Sequence, residues 1–235
     1  MADLEKQIAQ NVAIVRQRIA TAAARCGRSE NDIKMVAVTK YVGEEETRLL
    51  VESGCRTLGE SRPQHLVPKA EAMRDMNVRW HMIGHLQRNK VRRIAPLVSM
   101  IESVDSVKLA LAIDRIAGEM SLRIPILLEA NISGDETKSG FDPDLIEGAI
   151  GEIADCLNIK VNGLMGMASL ASGVDMARKD FQRLRTLRDR LRKNCPDEIQ
   201  LEELSMGMSS DYEVAIEEGS TIVRVGSALF EGVPR

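Results

Sequence analysis

Lys34-Met35-Val36-Ala37-Val38-Thr39-Lys40 reads as an apolar strand that stops at a single amine. A charged amine at the end of a buried strand is costly, and desolvation favours the neutral form of a lysine. A neutral lysine is prepared to attack a carbonyl and hold it as an imine, which makes Lys40 a candidate Schiff-base residue. The alternative is that the strand emerges into water at this point and the lysine is solvated.

Outward from this run, strand-like segments alternate with amphipathic helical ones. After an opening helix from about Leu4 to Cys26, the pattern predicts strands over 34–40, 57–60, 78–83, 98–104, 124–132, 159–167, 201–206 and 222–228. Helices are predicted from Glu44 to Ser53, Pro63 to Met73, Val107 to Met120, Pro143 to Leu157, Asp175 to Lys193 and Tyr212 to Glu218. Eight strand and helix units in order imply an α/β fold of the closed (β/α)8 TIM-barrel type, with an extra N-terminal helix. An open doubly wound sheet is the competing arrangement. No Pro/Gly/Ser-rich linker or low-complexity stretch divides the sequence, so one domain over 1–235 is expected.

Composition narrows the class of partner. The 32 lysines and arginines nearly balance the 35 aspartates and glutamates, and a net charge of −3 gives no global field for capturing nucleic acid or an anionic membrane. A small-molecule ligand is expected instead. Cys26, Cys55, Cys156 and Cys195 are scattered with no Cys-x-x-Cys pair, and the amino terminus lacks an apolar signal core. That pattern suits a reducing, cytoplasmic setting. No apolar stretch approaches the roughly 20 residues that span a bilayer, so membrane insertion is not expected.

In a barrel of this kind the site lies at the carboxyl ends of the strands, and phosphate is commonly held by the loops after strands seven and eight. Lys40 falls at the matching end of strand one. The seventh unit closes with Leu204-Ser205-Met206-Gly207-Met208-Ser209-Ser210-Asp211 and the eighth with Arg224-Val225-Gly226-Ser227-Ala228. Glycine lets a backbone approach a ligand, serine adds a hydroxyl, and amides at a following helix start face an anion. Ordinary turn chemistry uses the same residues. Along Ile222-Val223-Arg224-Val225-Gly226, period-two alternation puts Ile222, Arg224 and Gly226 on one face. Arg224 then either points at a ligand or forms a structural ion pair inside the barrel.

Other constellations carry less. His81 and His85 lie four apart, but Trp80 to Gly84 reads as a strand entering a turn, and no Cys or carboxylate cluster completes a zinc set, so no metal is expected. In the basic run from Phe181 to Lys193, the residues Phe181, Leu184, Leu187 and Leu191 form one helical stripe with the arginines on the solvated face. Neither a dinucleotide fingerprint nor a Walker A pattern occurs. Lys138 is either a second amine near the site or a solvated loop lysine.

The ordered motifs Val36-Ala37-Val38-Thr39-Lys40, Gly59-Glu60, Trp80-His81-Met82-Ile83-Gly84-His85-Leu86-Gln87, Ser103-Val104-Asp105, Asn131-Ile132-Ser133-Gly134, Lys138-Ser139-Gly140, Gly163-Leu164-Met165, Leu204-Ser205-Met206-Gly207-Met208-Ser209 and the stretch from Ala215 to Phe230 resemble the YggS/PROSC family of pyridoxal phosphate homeostasis proteins. The resemblance covers nearly the whole chain. It implies a barrel like the alanine racemase N-terminal domain, with pyridoxal 5′-phosphate as cofactor and Lys40 as the imine lysine. It also implies Ser205, Met206, Gly226 and Ser227 as cofactor-binding residues, and Arg224 facing the pyridine nitrogen. One departure stands out: Gly59-Glu60-Ser61 has serine where the family usually has asparagine.

The same resemblance bears on catalysis. Many pyridoxal-phosphate enzymes keep the pyridine nitrogen protonated with a carboxylate, whereas an arginine there disfavours pyridinium and weakens the electron sink. Alanine racemases pair such an arginine with a tyrosine base from a second domain of the partner subunit. Here the sequence runs only a few residues past the eighth strand, and Tyr41 would point to the other face of an extended strand. The resemblance therefore implies a cytoplasmic monomer that carries, buffers or scavenges the cofactor, handles related vitamers and passes it to apoenzymes, with no catalytic residue assigned. A weakly active amino-acid racemase or related enzyme is the alternative.

Overall fold

The computed structural model describes residues 2–134, 139–169, 173–196 and 199–233. Eight strands, β1 (Lys34–Val38), β2 (Thr57–Glu60), β3 (Arg79–Met82), β4 (Val98–Val104), β5 (Ile124–Glu129), β6 (Ile159–Met165), β7 (Glu203–Ser205) and β8 (Ile222–Val225), pair in chain order. The pairing closes into a barrel in which β8 returns to β1 in parallel, with Val36 opposite Arg224. An eight-stranded barrel of this size has an interior that side chains can fill. Val36, Met100, Leu127, Met165 and Ile222 pack together inside, while Ala37, Leu58, Ile101, Leu128, Val223 and Val225 belong to the larger core under the helices. The alternation expected along β8 is therefore present.

The helices are α1 (Ala2–Arg25), α2 (Glu44–Glu52), α3 (Pro63–Ala72), α4 (Val91–Ile94), α5 (Val107–Glu119), α6 (Ile146–Ile153), α7 (Gly173–Asn194) and α8 (Tyr212–Glu217). The N-terminal helix α1 lies against α8, where Arg18 Nε and Arg25 Nη2 donate to the Glu213 carboxylate at 2.6 and 3.0 Å. Asn11 Nδ2 donates to the carbonyls of Leu229 and Glu231 at 3.2 and 2.9 Å, so α1 also pins the segment that follows β8. On α7 the stripe of Phe181, Leu184, Leu187 and Leu191 is buried.

Several elements are shorter than their sequence pattern. β1 ends at Val38 because Thr39 N–H still donates to the Gly59 carbonyl at 2.9 Å, whereas Val42 N–H bonds back to the Thr39 carbonyl at 3.2 Å and turns the chain. The predicted helix from Pro143 begins only at Ile146, since Asp142 accepts from the backbone N–H groups of Asp144 and Leu145 and holds a turn there. The connection between β3 and β4 contains a 3-10 turn at Arg88–Lys90 and the four-residue α4, which the sequence pattern did not mark. Four basic-rich residues are too few to display a helical period.

Candidate functional site

A cavity of about 450 Å³ opens at the carboxyl ends of the strands, and Lys40, Tyr41, Ser209, Arg224, Gly226 and Ser227 line it. Lys40 is exposed rather than buried. The expectation of a desolvated amine is corrected by the early end of β1, which places Lys40 in a turn at the cavity mouth. Its Nζ lies 4.9 Å from the ring centroid of Tyr41, within reach of the ring's negative face. Tyr41 was expected on the opposite face of an extended strand, but once the strand period is broken it borders the same cavity.

A buried ion pair fixes the turn from behind. Lys69 of α3 donates through Nζ to the Thr39 carbonyl at 2.7 Å and to Glu60 Oε1 at 2.5 Å, and Thr39 Oγ1 donates to the same carboxylate oxygen at 3.1 Å. Lysine and glutamate are almost never fully buried unless paired. Lys69 is 5% exposed and Glu60 fully enclosed, so their pairing ties α3 and β2 to the peptide that precedes Lys40.

The loops after β7 and β8 meet at the other side of the cavity. Gly207 has φ +93°, and a Cβ there would stand 2.5 Å from the Ala215 Cβ, so only glycine makes this turn without displacement. The turn brings Ser209 beneath the next loop, where its Oγ accepts from the amides of Gly226 and Ala228 at 3.0 and 3.4 Å. Two backbone N–H groups thus converge on one oxygen, as in an anion cradle. Ser61, at the position of the family asparagine, also borders the cavity.

Ser205 and Met206 are placed elsewhere: both are fully buried and neither lines the cavity. Ser205 belongs to a polar chain through the barrel interior. Arg224 Nη1 donates to Ser205 Oγ at 2.5 Å, Ser205 Oγ donates to Glu102 Oε2 at 2.5 Å, and His81 Nδ1 meets Glu102 Oε1 at 2.5 Å. Arg224 Nη2 donates to the Gly166 carbonyl at 3.1 Å. Burial pushes the Glu102 carboxyl up, but the His81 hydrogen bond, the charges of His81 and Arg224 and the Ser205 hydroxyl outweigh it and hold it below the usual range. Burial pulls the Arg224 guanidinium down against Glu102, Glu129 and Asp211. Arg224 therefore meets both readings of its sequence, lining the cavity and pairing inside the barrel.

His81 and His85 take separate partners, His85 Nδ1 lying 2.9 Å from Asp105 Oδ2 at the barrel mouth. Lys138 lies outside the described residues. The sequence pattern marked Ser209 and Ser210 only as part of the seventh turn, set Tyr41 on the other face and gave Glu102 no role. Ser209 carried a legible signal, a second serine four residues past Ser205 in a glycine turn, whereas Glu102 sits in an ordinary apolar strand and gave none.

Residues 5–234 match the family model described as alanine racemase, N-terminal domain. A pyridoxal phosphate homeostasis protein of Aquifex aeolicus is 39% identical over 216 residues, covering 92% of this chain and 94% of its own. The crystal structure of an unknown protein from Bifidobacterium adolescentis superposes with a TM-score of 0.91 at 36% identity, over 98% of this chain and 97% of that one. PipY of Synechococcus elongatus, solved with PLP bound, superposes with a TM-score of 0.84 at 31% identity, over 95% and 99%.

Proposed function

The chain belongs to the pyridoxal phosphate homeostasis proteins, built on the alanine racemase N-terminal barrel, and from that premise we propose that it binds pyridoxal 5′-phosphate and serves in its homeostasis. It acts as one domain over 1–235, a cytoplasmic monomer that carries, buffers or scavenges the cofactor, handles related vitamers and passes it to apoenzymes. The observation that carries this reading is the shared cavity, in which an accessible amine, a permanent cation and a cradle of backbone amides face one space. The four cysteines, all free, accord with a reducing compartment.

The donor set fits the group. The Gly226 and Ala228 amides now satisfied by Ser209 Oγ are positioned to donate to phosphate oxygens, with Ser209, Ser210 and Ser227 adding hydroxyls. Arg224, held by Ser205 and the Gly166 carbonyl, presents N–H groups that suit an unprotonated ring nitrogen. When bound, pyridoxal phosphate supplies an aldehyde that condenses with a primary amine. Lys40 is the amine for that link, and the Lys69–Glu60 pair sets where its turn delivers it. Ser205, Met206 and Glu102 act from beneath by fixing Arg224 and the β7 loop. Reduction with borohydride followed by peptide mass spectrometry tests the proposal: a pyridoxyl adduct on Lys40 is expected, and cofactor recovered only in free form would remove the covalent reading.

A further inference from the structure

The end of the barrel opposite Lys40 carries a second cavity, of about 360 Å³, at the amino ends of β1, β2 and β3. Arg16 of α1, Lys34 of β1, Arg56 directly before β2 and Arg79 of β3 all line it. Cations from four separate parts of the chain meet there, and cofactor binding at the other end uses none of them.

Their charge is only partly compensated. Lys34 Nζ is held by Glu203 Oε1 at 3.0 Å, and Glu30 is the one carboxylate among the described residues of the lining. Arg16, Arg56 and Arg79 form no ion pair among the described residues. Two of these three guanidinium groups are nonetheless fixed by the backbone. Arg16 Nη2 donates to the Gly54 carbonyl at 2.8 Å, and Arg56 Nη1 donates to the Met76 carbonyl at 3.2 Å. Gly54 has φ +89°, and a Cβ there would stand 3.2 Å from Arg16 Nη2, so glycine both makes the turn and leaves room for the guanidinium. Arg79 is anchored beside them, its backbone N–H donating to the Arg56 carbonyl at 2.8 Å. A guanidinium has five N–H donors, so Arg16 and Arg56 keep donors beyond those given to the backbone. Ile19, Ile33 and Met35 add an apolar wall to the same cavity.

We propose that this cavity is a second ligand site, for an organic phosphate monoester, with the phosphate on Arg16, Arg56 and Arg79 and the carbon body against Ile19, Ile33 and Met35. Planar guanidinium forks match phosphate oxygens in pairs, and three of them around one dianion leave little charge unbalanced once Glu30 is counted. The apolar wall is what favours an ester over the bare ion, because an organic group loses its contact with water there. Since α1 and the starts of three strands all contribute, an occupant bridges parts of the chain that separate on unfolding and stabilises the folded state.

The test is calorimetric titration of the full-length protein with phenyl phosphate, alongside inorganic phosphate and phenol as its two halves. Saturable binding of phenyl phosphate is expected, about tenfold or more tighter than inorganic phosphate because the ring is buried as well. Arg79→Gln should weaken it about tenfold, the loss of one charge-assisted hydrogen bond, and Arg79→Lys by less, since it keeps the charge and loses the fork. Thermal unfolding confirms that the variants are folded and should show a rise in midpoint with phenyl phosphate that shrinks in Arg79→Gln. If Arg79→Gln does not fold, Arg56→Gln is expected to weaken binding similarly. No saturable heat, or equal strength for phenyl phosphate and inorganic phosphate, would overturn the site. So would binding that ignores both arginine substitutions and disappears in Gly226→Leu, because the ligand would then occupy the cavity beside Lys40.

Discussion

Lys69 Nζ donates to the Thr39 carbonyl at 2.7 Å, so a lysine buried behind the barrel wall holds the peptide from which the exposed Lys40 projects. The two amines have opposite roles because their environments differ. Lys69 is spent on Glu60 and a carbonyl, while Lys40 stands at the cavity mouth.

Lys69→Met should destabilise the protein by about 3–5 kcal/mol, since it leaves Glu60 buried without its cation. Adding Glu60→Gln to the same variant should recover part of that loss. Urea unfolding of the two variants checks both, and in each the rate of cofactor capture at Lys40 should fall as the turn loosens.

Lys40→Ala should abolish the borohydride-stable adduct with little effect on the fold. The side chain is exposed and makes no core contact, so unfolding free energy should stay within about 0.5 kcal/mol of the native value. Mass spectrometry and a denaturant titration on the same sample separate chemistry from folding.

Gly226→Leu should weaken pyridoxal phosphate far more than pyridoxal. A Cβ at this position already stands 3.3 Å from Val38 Cβ, and a longer side chain has to enter the space above the amide cradle. Fluorescence titration with the two vitamers is the measurement; equal losses would show that the loop is only structural.

Glu102 and Glu129 should give stability opposite dependences on pH. The folded Glu102 carboxyl is held below its ordinary value, so its contribution is present above the unfolded value and is lost as pH falls through the depressed folded value. Glu129 is held above its ordinary value, so the unfolded state binds fewer protons and stability falls as pH rises from the usual glutamate range to the raised value. Glu102→Gln should therefore cost most at neutral pH and less in acid. Glu129→Gln should raise stability at neutral pH and leave it unchanged in acid. Denaturant midpoints across pH 3 to 8, on the scale of a ~4.3 reference glutamate, read both signs.

Exchange of the alanine α-proton in deuterated water, catalysed by the cofactor-loaded protein, should be slower than about 1 per second, the low end of enzyme turnover. In the proposed binding mode Arg224 would offer the ring nitrogen a permanent donor in place of a carboxylate, which favours holding the cofactor over stabilising a carbanion. Nuclear magnetic resonance of the exchange decides the point, and turnover at enzymic rates would promote the racemase-like alternative.

Local pattern determined the order of the elements, the inward face of β8 and the position of Lys40 at the site end of the barrel. Those features are written in period-two and helical spacing, which depend on neighbours a few residues away. The resemblance named Lys40, Arg224, Gly226 and Ser227, and all four border one cavity. What depends on distant parts of the chain was not legible. The turn at Thr39 that exposes Lys40 is held by Lys69 from α3 and by β2, and neither is visible from the strand itself. Ser205 reads as a site serine until the barrel closes and brings Glu102, 103 residues away in sequence, onto its hydroxyl. Glu129 looks like the last residue of an apolar strand, and only barrel closure sets its carboxyl near Asp105 and Arg224. Periodicity is a local property, whereas burial of charge and the partner that compensates it are decided only when strands far apart in sequence enclose the same space.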